Sequence, residues 1–196
     1  MYTALVLLLL GGAPLWETKA PEDWSDDELA EVLTRSPWVK SLEPPVSAGG
    51  VPAVTVYLAG AQPMVDAERE AERRARLKKP GEDPPEEEYR EFLRKNPGSV
   101  IVLAVEAPDS RALRDPVELR KMEEECFLRG GGKKHKMTGH FPPSPSDPWL
   151  RLVFPRTLGP RDRRLVFELY LPSVPTPYRT VEFDIRDLTC RGKPEY

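Results

Sequence analysis

The side chains with the widest chemical range in this chain of 196 residues are two histidines and two cysteines. His135 and His140 stand in the run His-Lys-Met-Thr-Gly-His, with Cys126 shortly before them. Two imidazoles with a thiolate or a carboxylate could complete a zinc set. The spacing argues against it. The interval between the histidines matches no standard ligand motif, no H-E-x-x-H occurs, and Lys133, Lys134 and Lys136 would repel a cation. No metal and no other cofactor is expected. Gly130-Gly131-Gly132-Lys133-Lys134 looks like a phosphate loop, but that loop needs G-x-x-x-x-G-K-[ST] between a strand and a helix. Here no Ser or Thr follows the lysines, so the glycines read as a helix stop and a turn. Nucleophile motifs are absent: there is no G-x-S-x-G and no recognisable Cys–His spacing. The runs Glu86–Glu88 and Glu123–Glu125 fit helix starts and surface positions better than an acid–base pair.

Two basic clusters hold more interest. Arg129, Lys133, Lys134 and Lys136 form one, and Arg156, Arg161, Arg163 and Arg164 form the other. Both are expected in loops flanking antiparallel strands. If the two loops lie at the same end of a sheet, they make an anion-attracting rim on a slightly acidic body. Lipid head groups, an acidic polysaccharide or a nucleic-acid backbone would suit such a rim. The plainer account is solubilising charge, partly neutralised by Glu123–Glu125 and Asp162.

Composition bounds the function classes. Lys plus Arg is 29 against 32 Asp plus Glu, a net charge of -3. That balance argues against a dedicated nucleic-acid binder, whose domain is usually basic. The 23 prolines imply many rigid turns. They are spread among good apolar runs, so the chain reads as an ordered domain with long loops.

The uninterrupted apolar run Ala4–Leu10, followed by Gly11-Gly12-Ala13-Pro14, is too short to span a bilayer and fits the core of a secretory signal. No Lys or Arg precedes the run, and Ala13 and Ala20 are each followed by proline, which is poor for cleavage. A buried N-terminal strand is the alternative. Residues 1–20 are therefore assigned as a signal peptide and 21–196 as one domain, with no transmembrane helix in the mature chain. In an exported protein Cys126 and Cys190 could form one bridge; the alternative is two half-buried thiols.

These residues need elements to position them. Trp24 to Trp38 is the best-specified stretch. Ser25 and Glu28 make a capping box, Trp24 and Leu29 sit where a hydrophobic staple would meet, and Pro37 stops the helix. Val39 to Pro52 reads as a loop and Ala53 to Ala59 as a strand. Met64 to Lys79 reads as a helix with a small-residue stripe at Ala67, Ala71 and Ala75 and the solvent pairs Glu70–Arg74 and Glu72–Arg76. Asp83-Pro84 and Asp115-Pro116 each start a further helix, the first carrying Tyr89, Phe92 and Leu93, the second running to Gly130. Val100 to Val105 is a central strand covered on both faces. Trp149–Phe154, Leu165–Leu171 and Thr180–Arg186 alternate like antiparallel strands with one wet face. The fold class is α+β, with about four helices packed on one mixed or largely antiparallel sheet of roughly five strands. Leu33, Phe92, Val102 and Phe183 should share its single apolar layer.

Three segments carry a resemblance: the helix end Ser36-Pro37-Trp38; the strand from Val54 through Gly60 to Pro63, entering a charged helix; and the closing run Val181 to Leu188 with Gly192-Lys193. With Val153-Phe154-Pro155-Arg156, they resemble a family of uncharacterised exported proteins of soil bacteria. The resemblance implies export and a shared fold, and no catalytic or binding residues. The expected function is non-catalytic: an exported binding or envelope-associated protein, meeting an anionic envelope component or another protein. The alternative is a hydrolase with a site at the rim of the sheet, and the discriminating feature is a concave pocket where two or more ionisable side chains converge.

Overall fold

The structure is a computed structural model that describes residues 13–43, 53–78, 87–106, 111–144, 147–172, 174 and 176–196. The apolar run Ala4–Leu10, the Asp83-Pro84 helix start and most of the Val39–Pro52 loop lie outside the described residues.

The order is α1 (Leu15–Thr18), a 3-10 turn (Pro21–Asp23), α2 (Asp26–Arg35), β1 (Val39–Leu42), β2 (Val54–Leu58), α3 (Gln62–Lys78), α4 (Glu87–Lys95) and β3 (Val100–Glu106). A second 3-10 turn (Ala112–Arg114) leads to α5 (Pro116–Glu125) and β4 (Phe127–Gly130). Then come β5 (Lys133–Lys136), β6 (Gly139–Phe141), β7 (Trp149–Pro155), β8 (Arg164–Tyr170), β9 (Tyr178–Asp184), β10 (Thr189–Cys190) and β11 (Lys193–Pro194). The α+β class stands, but among the described residues one sheet becomes three, all antiparallel: β1-β2-β3-β7-β6, β5-β4-β8-β9, and the hairpin β10-β11.

The two larger sheets stack. Leu150, Leu152 and Phe154 leave β7 on the side of the four-stranded sheet, where Phe154 meets Phe167 at 5.2 Å and Phe167 meets Phe183 at 6.1 Å, both edge-on. Helices α3 and α4 cover the opposite face of the five-stranded sheet, with Tyr89 and Phe92 each 5.3 Å from Phe141. The five-stranded sheet therefore has apolar layers on both faces. Phe183 belongs to the layer between the sheets, and Phe92 to the layer under the helices. The expected wet face of β7 is covered as well, since Arg151 and Val153 are buried.

Helix grammar is obeyed closely. Glu28 N–H donates to Ser25 Oγ at 3.1 Å and Ser25 N–H to Glu28 Oε2 at 2.8 Å, completing the capping box, with Trp24 and Leu29 buried beside it. Asp115 caps α5 by accepting from Val117 N–H at 2.8 Å. β3 is the middle strand, buried from Ile101 to Val105.

Two sequence-based assignments need correction, and of the two alternatives open for the cysteines the structure shows the unbridged one. Residues 39–42 form β1 and pair with β2. Helix α5 ends at Glu125, not Gly130, and residues 127–136 form a hairpin. Gly131 and Gly132, at φ 59° and 75°, make its two-residue turn, a geometry favouring glycine at both positions. Cys126 and Cys190 are free thiols in different places: Cys126 Sγ lies 3.5 Å from Tyr170 O, and Cys190 Sγ lies 3.7 Å from Trp16 O. Burial pushes the Cys126 thiol up to about 12, so it is an inert, protonated filler.

Candidate functional site

Of the first basic cluster, the residues lie on strands rather than in a loop. Arg129 is in β4, and Lys133, Lys134 and Lys136 are in β5. Leu128 and His135 pair and face inward, so Arg129, Lys134 and Lys136 project from the outer face of the four-stranded sheet. Arg129 and Lys134 converge on one carboxylate, Glu168 of β8, and Lys134 lies 5.5 Å from the Phe127 ring centroid.

In the second cluster, Arg161 and Arg163 are in the loop between β7 and β8, and Arg164 opens β8 with its guanidinium 2.9 Å from Glu182. This loop lies directly on the β4–β5 turn. Asp162 Oδ2 accepts from Gly131 N–H and Gly159 N–H, each at 2.7 Å. Those two amides hold the Asp162 carboxyl below the usual carboxylate range. A side chain at Gly130 would meet Leu158 at 2.9 Å and Thr157 O at 3.3 Å, which shows how closely the segments approach. The β4–β5 turn and the 156–163 loop are thus in contact, with Lys133, Arg161 and Arg163 within two residues of the contact in sequence. Arg156 departs from it: its guanidinium turns away and stacks on the Tyr196 ring, 4.3 Å from the centroid.

His135 and His140 are separated by a change of sheet. His135 Nε2 is 3.0 Å from Gly130 O, whereas His140 is in β6, with Nδ1 3.8 Å from Glu123. Thr138 N–H already donates to Val153 O in β7 at 2.8 Å, so the chain crosses between sheets within three residues. Among the described residues no three His, Cys, Asp or Glu gather as a metal site.

A second constellation lies under the helices. Val39, Tyr57, Ala104, Arg151 and Phe141 form one row across the five-stranded sheet. The Ala104 methyl between two long side chains leaves room for Glu68 of α3. Glu68 accepts from the Tyr57 hydroxyl and from Arg151 Nη2, the latter at 3.1 Å. Arg151 Nη1 also binds Asp147, and the Arg151 guanidinium lies 4.4 Å from the Tyr89 ring centroid. Trp149 packs edge-on to Tyr57 at 4.7 Å.

Burial pushes the Glu68 carboxyl above its ordinary value, against the pull of Arg151. Burial likewise lifts Tyr57 and Tyr89, keeping both phenols neutral. Burial opposes the Arg151 charge, but Glu68, the tyrosines and Asp147 outweigh it and keep the guanidinium protonated. A cavity of about 460 Å³ opens beside this group, with Tyr57, Glu68, Glu106, Asp147, Trp149 and Arg151 in its wall. Sequence reasoning missed this site. Glu68 reads as one more charge on a solvated helix, and Arg151 as the wet side of an alternating strand. No protein-family model, curated protein or solved structure matches this chain.

Proposed function

We propose that this is an exported, non-catalytic binding domain that engages an anionic partner through the rim made by the β4–β5 turn and the 156–163 loop. The contact of the two loops through Asp162 carries the reading, because it gathers cations from distant parts of the chain. Most acids at the rim are already engaged: Asp162 on backbone amides, Glu168 by two cations, Glu182 by Arg164. A polyanion would be attracted over the Debye length and screened by salt. Export rests on the Ala4–Leu10 run and on the resemblance drawn from residues 36–38, 54–63, 153–156 and 181–193. Neutralising Arg161, Arg163 and Arg164 together is expected to move elution from an anionic matrix to lower salt while the fold persists. Unchanged retention would sink the rim.

The hydrolase alternative keeps one observation in its favour. Glu68, Asp147 and Arg151 converge in a concave pocket, and a carboxyl with a raised pKa suits a proton donor. On this reading Glu68→Gln lowers turnover of a hydrolysable ester or glycoside by at least about 100-fold. A panel of nitrophenyl esters and glycosides that gives equal rates with the wild type and this variant would dispose of it.

A further inference from the structure

A second cavity, about 400 Å³ in volume, lies on the other side of Glu68. Among the described residues four arginines line it: Arg69 from α3, Arg90 and Arg94 one turn apart on α4, and Arg156 after β7. We infer that this four-arginine cleft is a binding site for a small phosphate monoester.

The charge balance in the cleft is the first argument. Arg69 and Arg94 are exposed and have no carboxylate partner among the described residues. Arg156 stacks on Tyr196 rather than pairing with an acid. Arg90 alone is ion-paired, to Glu72. Among the described residues two acidic side chains reach the cavity, fewer than its four arginines. Glu68 accepts from Tyr57 and Arg151, and Glu195 Oε2 accepts from Gln62 N–H at 3.2 Å. The cleft therefore presents unspent positive charge in a concave, partly desolvated setting, where it acts more strongly than on an open surface.

The type of cation is the second argument. Arginine offers planar, bidentate donors matched to phosphate and carboxylate oxygens. One carboxylate has two oxygens and satisfies one such fork. Three or four guanidiniums suit the three terminal oxygens and double charge of a phosphate monoester. The remaining wall fits an organic body: Val65, Leu93, Pro97, Val100 and the Tyr196 ring supply apolar surface beside the arginines. The volume lies in the range of small-molecule sites, about 300–1,000 Å³. The rim of the proposed function is a separate surface; of the eight basic residues in the two clusters, Arg156 alone reaches the cleft.

Phenyl phosphate, inorganic phosphate, benzoate and phenol, titrated calorimetrically into the full chain, test the inference. Phenyl phosphate is expected to bind with a Kd below about 1 mM and more tightly than inorganic phosphate, and phenol not at all. Affinity should fall below about pH 6, where the monoester loses its second charge. The exposed pair Arg69→Gln/Arg94→Gln should raise the phenyl phosphate Kd at least about tenfold without lowering the Tm. It should leave anionic-matrix retention in place, whereas the Arg161, Arg163 and Arg164 triple variant should keep phenyl phosphate binding. No heat with phenyl phosphate, an unchanged Kd in the double variant, or equal binding of benzoate would each overturn the assignment.

Discussion

Glu70 lies on α3 with Arg73 and Arg74 three and four residues beyond it, the spacing of an ordinary solvent pair. The structure instead leaves its side chain 4% exposed. Arg73 Nε and Nη2 hold it at 2.7 and 2.8 Å, and Arg74 Nε at 2.6 Å. Arg74 continues to the Trp24 carbonyl and to Asp26 at 2.6 Å, so one carboxylate ties α3 to the start of α2. Arg73 first, then Arg74, holds the Glu70 carboxyl down to about 2. A depressed folded value means that this contribution is complete above the ordinary carboxylate value near about 4.3 and is lost as the pH falls toward 2. Glu70→Gln is expected to cost about 2 kcal/mol at pH 7, with the difference from wild type shrinking between pH 4 and 2. Urea unfolding at pH 7 and at pH 3 measures it, and a constant difference would show that the charge is immaterial. Glu68 has the opposite sign. Its carboxyl is raised by burial, so its contribution weakens as the pH rises through the interval above the ordinary value.

At the scale of elements, legibility followed the strength of local signals. Capping residues act on their own first turn, so the starts of α2 and α5 could be read directly. The continuous apolar run of β3 announced a strand covered on both faces. The short strands carried no such signal. β5 is Lys-Lys-His-Lys, whose pairing comes from the glycine turn before it and from β4 beside it. β1, Val-Lys-Ser-Leu, and the three residues of β6 are each recruited by the strand that follows them in the chain, not by a pattern of their own. That the strands split between two stacked sheets was hidden for the same reason. Alternation shows which side of a strand is greasy but not which sheet it joins. The polar cluster was illegible for a related reason. Arg151 shares a row with Tyr57 and Phe141 only through registers with strands far apart in sequence. The rim was half legible: its residues stood out by charge, whereas their meeting depends on the Asp162 contacts.

For the whole molecule, the sharpest question is where the domain begins. The assignment of residues 1–20 as a removable segment meets the packing of residues 15–19. The Trp16 ring lies 5.2 Å from Trp38, edge-on, and its carbonyl faces Cys190 of the β10–β11 hairpin. Leu15 packs on the same core, and Lys19 pairs with Glu28, the acid of the capping box. Trp38 in turn donates its indole N–H to Glu195 O at 2.7 Å, so this corner joins both ends of the described chain. Burying most of one indole and one leucine stabilises a domain by a few kcal/mol at most, and here the burial is partial. A chain starting at Ala13 is therefore expected to be about 2 kcal/mol more stable than one starting at Pro21. The comparison is equilibrium unfolding in urea, with Trp16→Ala in the longer chain as a control that should reproduce most of the loss. Equal midpoints for the two chains would mean that α1 only rests on the core, and that export could remove all 20 residues without cost.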